Sequence, residues 1–177
     1  ELRQRILFTL GLIFICRIIT SVPAPGVDAR ALQLVIADIQ NQVGGGFLGW
    51  IDLFSGGALS KCAVGALSIW PYISASIILQ LLTVVWPYLE KLSKEGELGR
   101  RKITQYTRYG TVVLSIIQGM GISFFLERTT APGGAPLVPE DLQGWGFRLM
   151  TVLTLTTGTA FVMWLGEQIT ERGIGNG

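Results

Sequence analysis

Catalysis needs groups that attack, donate or accept, and this sequence of 177 residues offers few in workable combinations. It has no histidine, which removes Ser-His-Asp triads, Cys-His dyads and imidazole metal ligands together. Its two cysteines, Cys16 and Cys62, stand far apart, so there is no CxxC metal or redox motif, and each thiol reads as a small apolar filler. Arg17 interrupts an apolar run; it either snorkels to a membrane interface or pairs with an acid such as Asp52 or Glu127. Neither role is catalytic, and we expect no enzyme, no metal site and no cofactor. The remaining candidates are apolar. Ile69 and Ile73 lie i,i+4 apart around Pro71 and share a helix face. They are either ordinary lipid-facing or core residues, or branched side chains aimed at an aqueous path that they seal by dewetting. Spacing leaves both readings open.

Composition says what kind of scaffold holds them. Hydrophobic residues make up 49% and charged residues 15% of the chain, against about 25% charged in a soluble domain. The mean hydropathy is +0.49, and there are 23 glycines. The formal charge of +2 is too small to argue for nucleic acid. A polytopic membrane protein is expected. The chain begins with Glu1 and stops in a glycine-rich stretch at Gly177, which reads as a piece of a longer chain. Nothing resembles a cleavable signal peptide.

Four apolar runs are expected to be transmembrane helices: 1–22, 63–86, 109–126 and 149–166. The second would make about 36 Å of helix and each of the last two about 27 Å, against a hydrocarbon layer of about 30 Å. Arg3, Arg5, Lys91, Lys94, Arg100, Arg101, Lys102, Arg108 and Arg172 then lie on one side, and Arg30, Lys61, Arg128 and Arg148 on the other. That bias puts the N-terminus, the 87–108 loop and the 167–177 segment in the cytoplasm. The loops 23–46 and 127–148 are external, and the Pro and Gly residues of the latter predict irregular structure. The 87–108 loop is either a solvated face or a docking surface. The segment 47–62 has helical apolar spacing, is too short to span and carries Asp52. It is an interfacial helix, or a re-entrant plug or broken transporter helix that must be buried in protein or line a cavity. The second run also carries Ser68, Ser74, Ser76, Gln80 and Thr83, hydroxyl and amide groups suited to bonding neighbouring helices.

Long strings in these segments resemble the SecY family of protein-conducting channel subunits. They are VPAPGVD (22–28), LFSGGALS (53–60), PYISASIILQLLT (71–83), KEGELGRRKITQYTRYG (94–110) and MWLGEQITERGIGNG (163–177). The resemblance covers nearly the whole chain, failing mainly around 30–47 and 127–147. It implies an all-α membrane protein: the N-terminal four transmembrane helices of a ten-helix SecY-type channel, with a re-entrant plug helix. It implies that Ile69 and Ile73 belong to a hydrophobic pore ring, and that Ser74 and Ile77 lie at a lateral gate. It further implies that Phe47, Leu48, Trp50, Ile51, Leu53, Phe54, Ser55, Gly56 and Gly57 belong to the plug. Trp70 beside the ring and Cys62 after the plug depart from the family's usual pattern. The implied function is movement of unfolded preproteins across the bacterial inner (plasma) membrane, with lateral release of membrane segments into the lipid bilayer. The implied partners are the small subunits SecE and SecG, the motor ATPase SecA, the translating ribosome, and signal sequences with their nascent chains. A secondary transporter would instead need intramembrane carboxylates, which the uncharged runs lack, and a passive scaffold would show no conduction path.

Overall fold

The computed structural model describes residues 2–42, 63–67, 69–131, 134 and 136–173. Long apolar runs must satisfy their backbone polar groups internally, and the described residues are helical almost throughout. The helices are α1 (Leu2–Ile19), α2 (Ala29–Gln42), α3 (Trp70–Val85), α4 (Pro87–Lys94), α5 (Glu97–Arg128) and α6 (Trp145–Arg172), with a 3-10 turn at Glu140–Leu142. Extended pairing among the described residues is confined to two isolated antiparallel bridges, Pro23 with Ala63 and Thr130 with Pro136.

α5 and α6 form an antiparallel pair at the centre, with α3 packed on α5 and α1 on α6. Their contact rests on small residues. Thr107, Thr111, Ser115, Gly119 and Ser123 recur every fourth position of α5 and are all buried. The hydroxyls of Thr111, Ser115 and Ser123 donate to carbonyls of their own helix, at 2.7, 2.8 and 2.8 Å. With their polar groups so satisfied, the small side chains let backbones approach closely: a Cβ at Gly119 would stand 3.4 Å from the Cα of Val152. α6 answers with Thr151, Val152, Leu155, Gly158, Thr159 and Val162, all buried.

By length and composition, two of the described helices, α5 and α6, can each cross a membrane. α3 and α4 reach that length only together, and they are bent by 101°. The bend has a local cause: Trp86 precedes Pro87 and takes the extended conformation that a residue before proline favours, with φ −101° and ψ 112°. α1 has 18 residues with Arg3, Arg5 and Arg17 among them. Four continuous spans were expected. The apolar run 63–86 was also expected to be one helix, yet the helix begins only at Trp70. Residues 63–67 form turns instead, and Val64 N–H donates to the Val22 carbonyl at 2.9 Å. Hydropathy does not separate a buried turn from a buried helix, so this difference follows from tertiary contacts.

Two of the connecting segments are anchored at particular residues. Asp28 caps α2, its Oδ1 accepting from the N–H groups of Arg30 (2.9 Å) and Ala31 (3.4 Å). Ala31, Leu32 and Val35 of α2 then share a core with Leu126, Leu137, Val138 and Phe147. Leu137 and Val138 are fully buried, so the 127–148 segment is anchored by two apolar residues at its middle.

Candidate functional site

Pro71 lies in the first turn of α3, where its missing N–H is no loss. Ile69 caps the helix at φ −92° and ψ −2°, and its carbonyl accepts from Ile73 N–H at 3.0 Å. Pro71 and Ala75 are buried on one side of α3, close to Gly110 of α5, where a Cβ would be 3.5 Å from that of Ala75. Ile69, Ile73 and Ile77 fall on the opposite side, at 40%, 40% and 51% exposure. Ser74 is half-buried beside them. The structure therefore brings the three isoleucines together on a face turned away from the helix packing. Ile69 also borders a cavity of about 450 Å³ together with Tyr72 of α3, Arg108 of α5, and Met163, Glu167 and Glu171 of α6. The isoleucine face binds water weakly, whereas the cavity wall beside it is charged at Arg108, Glu167 and Glu171. Phe47, Leu48, Trp50, Ile51, Leu53, Phe54, Ser55, Gly56 and Gly57 lie outside the described residues.

Two ion pairs, which the sequence reading passed over, set the frame around this face. Arg108 Nε of α5 donates to Glu167 Oε1 of α6 at 2.7 Å. At the far end of the same helices, Arg148 Nε of α6 donates to Glu127 Oε2 of α5 at 2.8 Å, and Arg148 Nη2 stands 2.8 Å from the same oxygen as an ion-pair contact. The other oxygen, Glu127 Oε1, accepts from Gly144 N–H at 3.0 Å. The Arg148 hydrogen bond, helped by that N–H and opposed by desolvation, holds the Glu127 carboxyl below its ordinary pKa. Arg148 also stacks over Phe124, with its guanidinium carbon 4.3 Å from the ring centre. Glu127, one of the acids the sequence offered to Arg17, is thus engaged by Arg148. A signal existed: an arginine and a glutamate bracket each of the uncharged runs 109–126 and 149–166. No group of three or more metal-ligating side chains occurs among the described residues.

The sequence model of the SecY family matches residues 63–177. Over all 177 residues the chain is 51% identical to protein translocase subunit SecY of Buchnera aphidicola subsp. Acyrthosiphon kondoi, covering 48% of that protein. It is equally 51% identical to the Escherichia coli (strain K12) protein of the same name, covering 38% of it. The Streptomyces scabiei protein translocase subunit SecY is 52% identical over 182 aligned positions, with 40% of its length covered. The chain thus spans less than half the length of these relatives, and all of it aligns.

Proposed function

The chain belongs to the SecY family, and from that premise we propose that it forms part of the central subunit of a channel for unfolded preproteins. The channel moves them across the bacterial inner membrane and releases membrane segments sideways into lipid. The observation that carries this reading, beside the family match, is the exposed isoleucine face of α3 next to a cavity between α3, α5 and α6. Ile69 and Ile73 contribute to the pore ring, where an apolar neck is dry when empty and so blocks ions, while branched side chains mould around a passing chain. Ser74 and Ile77 stand at the lateral gate. Residues 47–57 form the plug, with Gly56 and Gly57 supplying a backbone hinge. Four spans cross the membrane, with the N-terminus in the cytoplasm.

The role requires no catalysis in this chain, which fits a sequence without histidine. Driving force comes from SecA or a translating ribosome at the cytoplasmic face, and SecE and SecG complete the membrane complex. The test is reconstitution of the full-length protein with SecE and SecG in liposomes, followed by addition of SecA, ATP and a preprotein. Preprotein that becomes protected from external protease supports the proposal. An intact, reconstituted complex that protects none overturns it.

A further inference from the structure

α3 covers only part of the face of α5 that looks away from α6. Ala75 lies against Gly110, where a Cβ would be 3.5 Å from its own, and α3 begins only five residues earlier, at Trp70. Its other end leads through α4 to the start of α5, so its cover reaches about 8 Å past Gly110 toward the Arg128 end of α5. Beyond that, Ile117, Gly121, Phe124, Phe125 and Arg128 share one face by helical spacing, opposite the buried Ser115, Gly119 and Ser123. All five are exposed. Gly121 is the notch in this face, with nothing within 4 Å of where its Cβ would stand. Above it Phe124, Phe125, Arg128 and Thr129 line a recess of about 440 Å³. The Phe124 ring is braced from behind by Arg148, whose guanidinium carbon stands 4.3 Å from the ring centre.

The rim of the recess carries one uncompensated charge. Glu127 is engaged by Arg148 and by Gly144 N–H. Arg128 makes no hydrogen bond or ion pair among the described residues, and Glu140 and Asp141 of the turn at 140–142 form none with it. Thr129 closes the end of α5 by donating its N–H (3.1 Å) and its hydroxyl (2.7 Å) to the Phe125 carbonyl. From Ile117 to Arg128 the face runs about 17 Å, roughly half of a hydrocarbon layer of about 30 Å. We propose that this recess is a site for one phospholipid of the leaflet at the Arg128 end. Its phosphodiester sits on the Arg128 guanidinium, whose fork of donors matches phosphate oxygens. One acyl chain lies over Gly121, between Phe124 and Phe125, and ends near Ile117. A free anion would use the charge and leave the apolar recess empty, whereas a covering helix would bury Arg128 without a partner, which is costly. The inference rests on the membrane-spanning reading of α5 and is independent of what the channel carries.

The test reconstitutes the full-length protein in its complex in vesicles of dioleoyl phosphatidylethanolamine and phosphatidylglycerol. The complex is extracted again in mild detergent and weighed by native mass spectrometry. Wild type should keep a phospholipid that Arg128→Leu and Gly121→Leu release, its occupancy falling about tenfold or more. Arg128→Lys, which keeps the charge, should retain it. Equal retention in wild type, Arg128→Leu and Gly121→Leu overturns the proposal. A photo-crosslinking phenylalanine analogue at Phe125 places the lipid: a phospholipid adduct supports the site. Crosslinks to protein alone, from another part of the chain or a partner subunit, overturn it. Translocation is scored in the same vesicles. Retained lipid without translocation counts against the channel alone, and translocation without retained lipid counts against this inference alone.

Discussion

Glu127 and Arg148, 21 residues apart in sequence, meet at 2.8 Å where α5 ends and α6 begins. The glutamate side chain is 7% exposed and the arginine 24%. A charge pair so enclosed, with Gly144 N–H on the second carboxylate oxygen, is a structural joint, since removing one member leaves the other charged and short of partners.

Glu127→Gln should therefore destabilise the protein by about 2 kcal/mol, read as a lower thermal unfolding midpoint of the intact complex in detergent. Its pH dependence has a definite sign. The folded carboxyl titrates below its ordinary value, 4.5, so the stabilisation is complete above that value and is lost as pH falls through the lowered one. The gap between wild type and Glu127→Gln should be constant near neutral pH and close only in acid, as pH falls below the ordinary carboxyl value of 4.5. A gap that closes on raising the pH would show the opposite linkage.

Two glycines in the central helices should respond in opposite directions. A Cβ at Gly158 of α6 would collide with the Val64 carbonyl, in the turn that precedes α3. Gly158→Val should then cost about 3 kcal/mol by overpacking and loosen the attachment of α3. Gly121 of α5 has nothing within 4 Å of where its Cβ would stand, so Gly121→Ala should stabilise by about 0.5–1 kcal/mol through helix propensity. Thermal unfolding of the two variants side by side checks both signs.

If the exposed face of α3 borders the constriction, replacing Ile69 and Ile73 together by serine should admit water to the neck and raise resting ion conductance in planar bilayers. The Ile69→Val, Ile73→Val double variant keeps the surface branched and apolar and should stay tight. Equal conductance in the serine variant and wild type removes these residues from the seal.

The proposed lateral gate puts departing signal sequences against the flank of the same helix. A photo-crosslinking amino acid at Ser74 or Ile77 should capture a stalled precursor, while one at Val113, on the outer side of α5, should capture lipid. Crosslinks to lipid alone from Ser74 and Ile77 would withdraw the gate assignment.

What the residues determine locally was readable along the chain. The uncharged runs 109–126 and 149–166 lie inside α5 and α6 because a helix satisfies the backbone of a long apolar run within the run itself. Pro87 ends α3 for an equally local reason. The register of Ile69, Ile73 and Ile77 follows from helical spacing alone. The SecY resemblance rests on long collinear strings of residues, which need no coordinates. Other features needed the third dimension. Arg108 and Glu167 are 59 residues apart, and only the antiparallel docking of α5 on α6 makes them neighbours. Residues 63–67 match a helix in hydropathy but turn back to bond Val22, because hydropathy reports burial and is silent about which backbone partner is nearest. Leu137 and Val138 look incidental between prolines until Leu32 and Val35 of α2 close over them. Composition and period are properties of one segment, so the sequence carries them openly, whereas a charge pair, a turn or a capped core is a property of two segments meeting and exists only once the chain has folded.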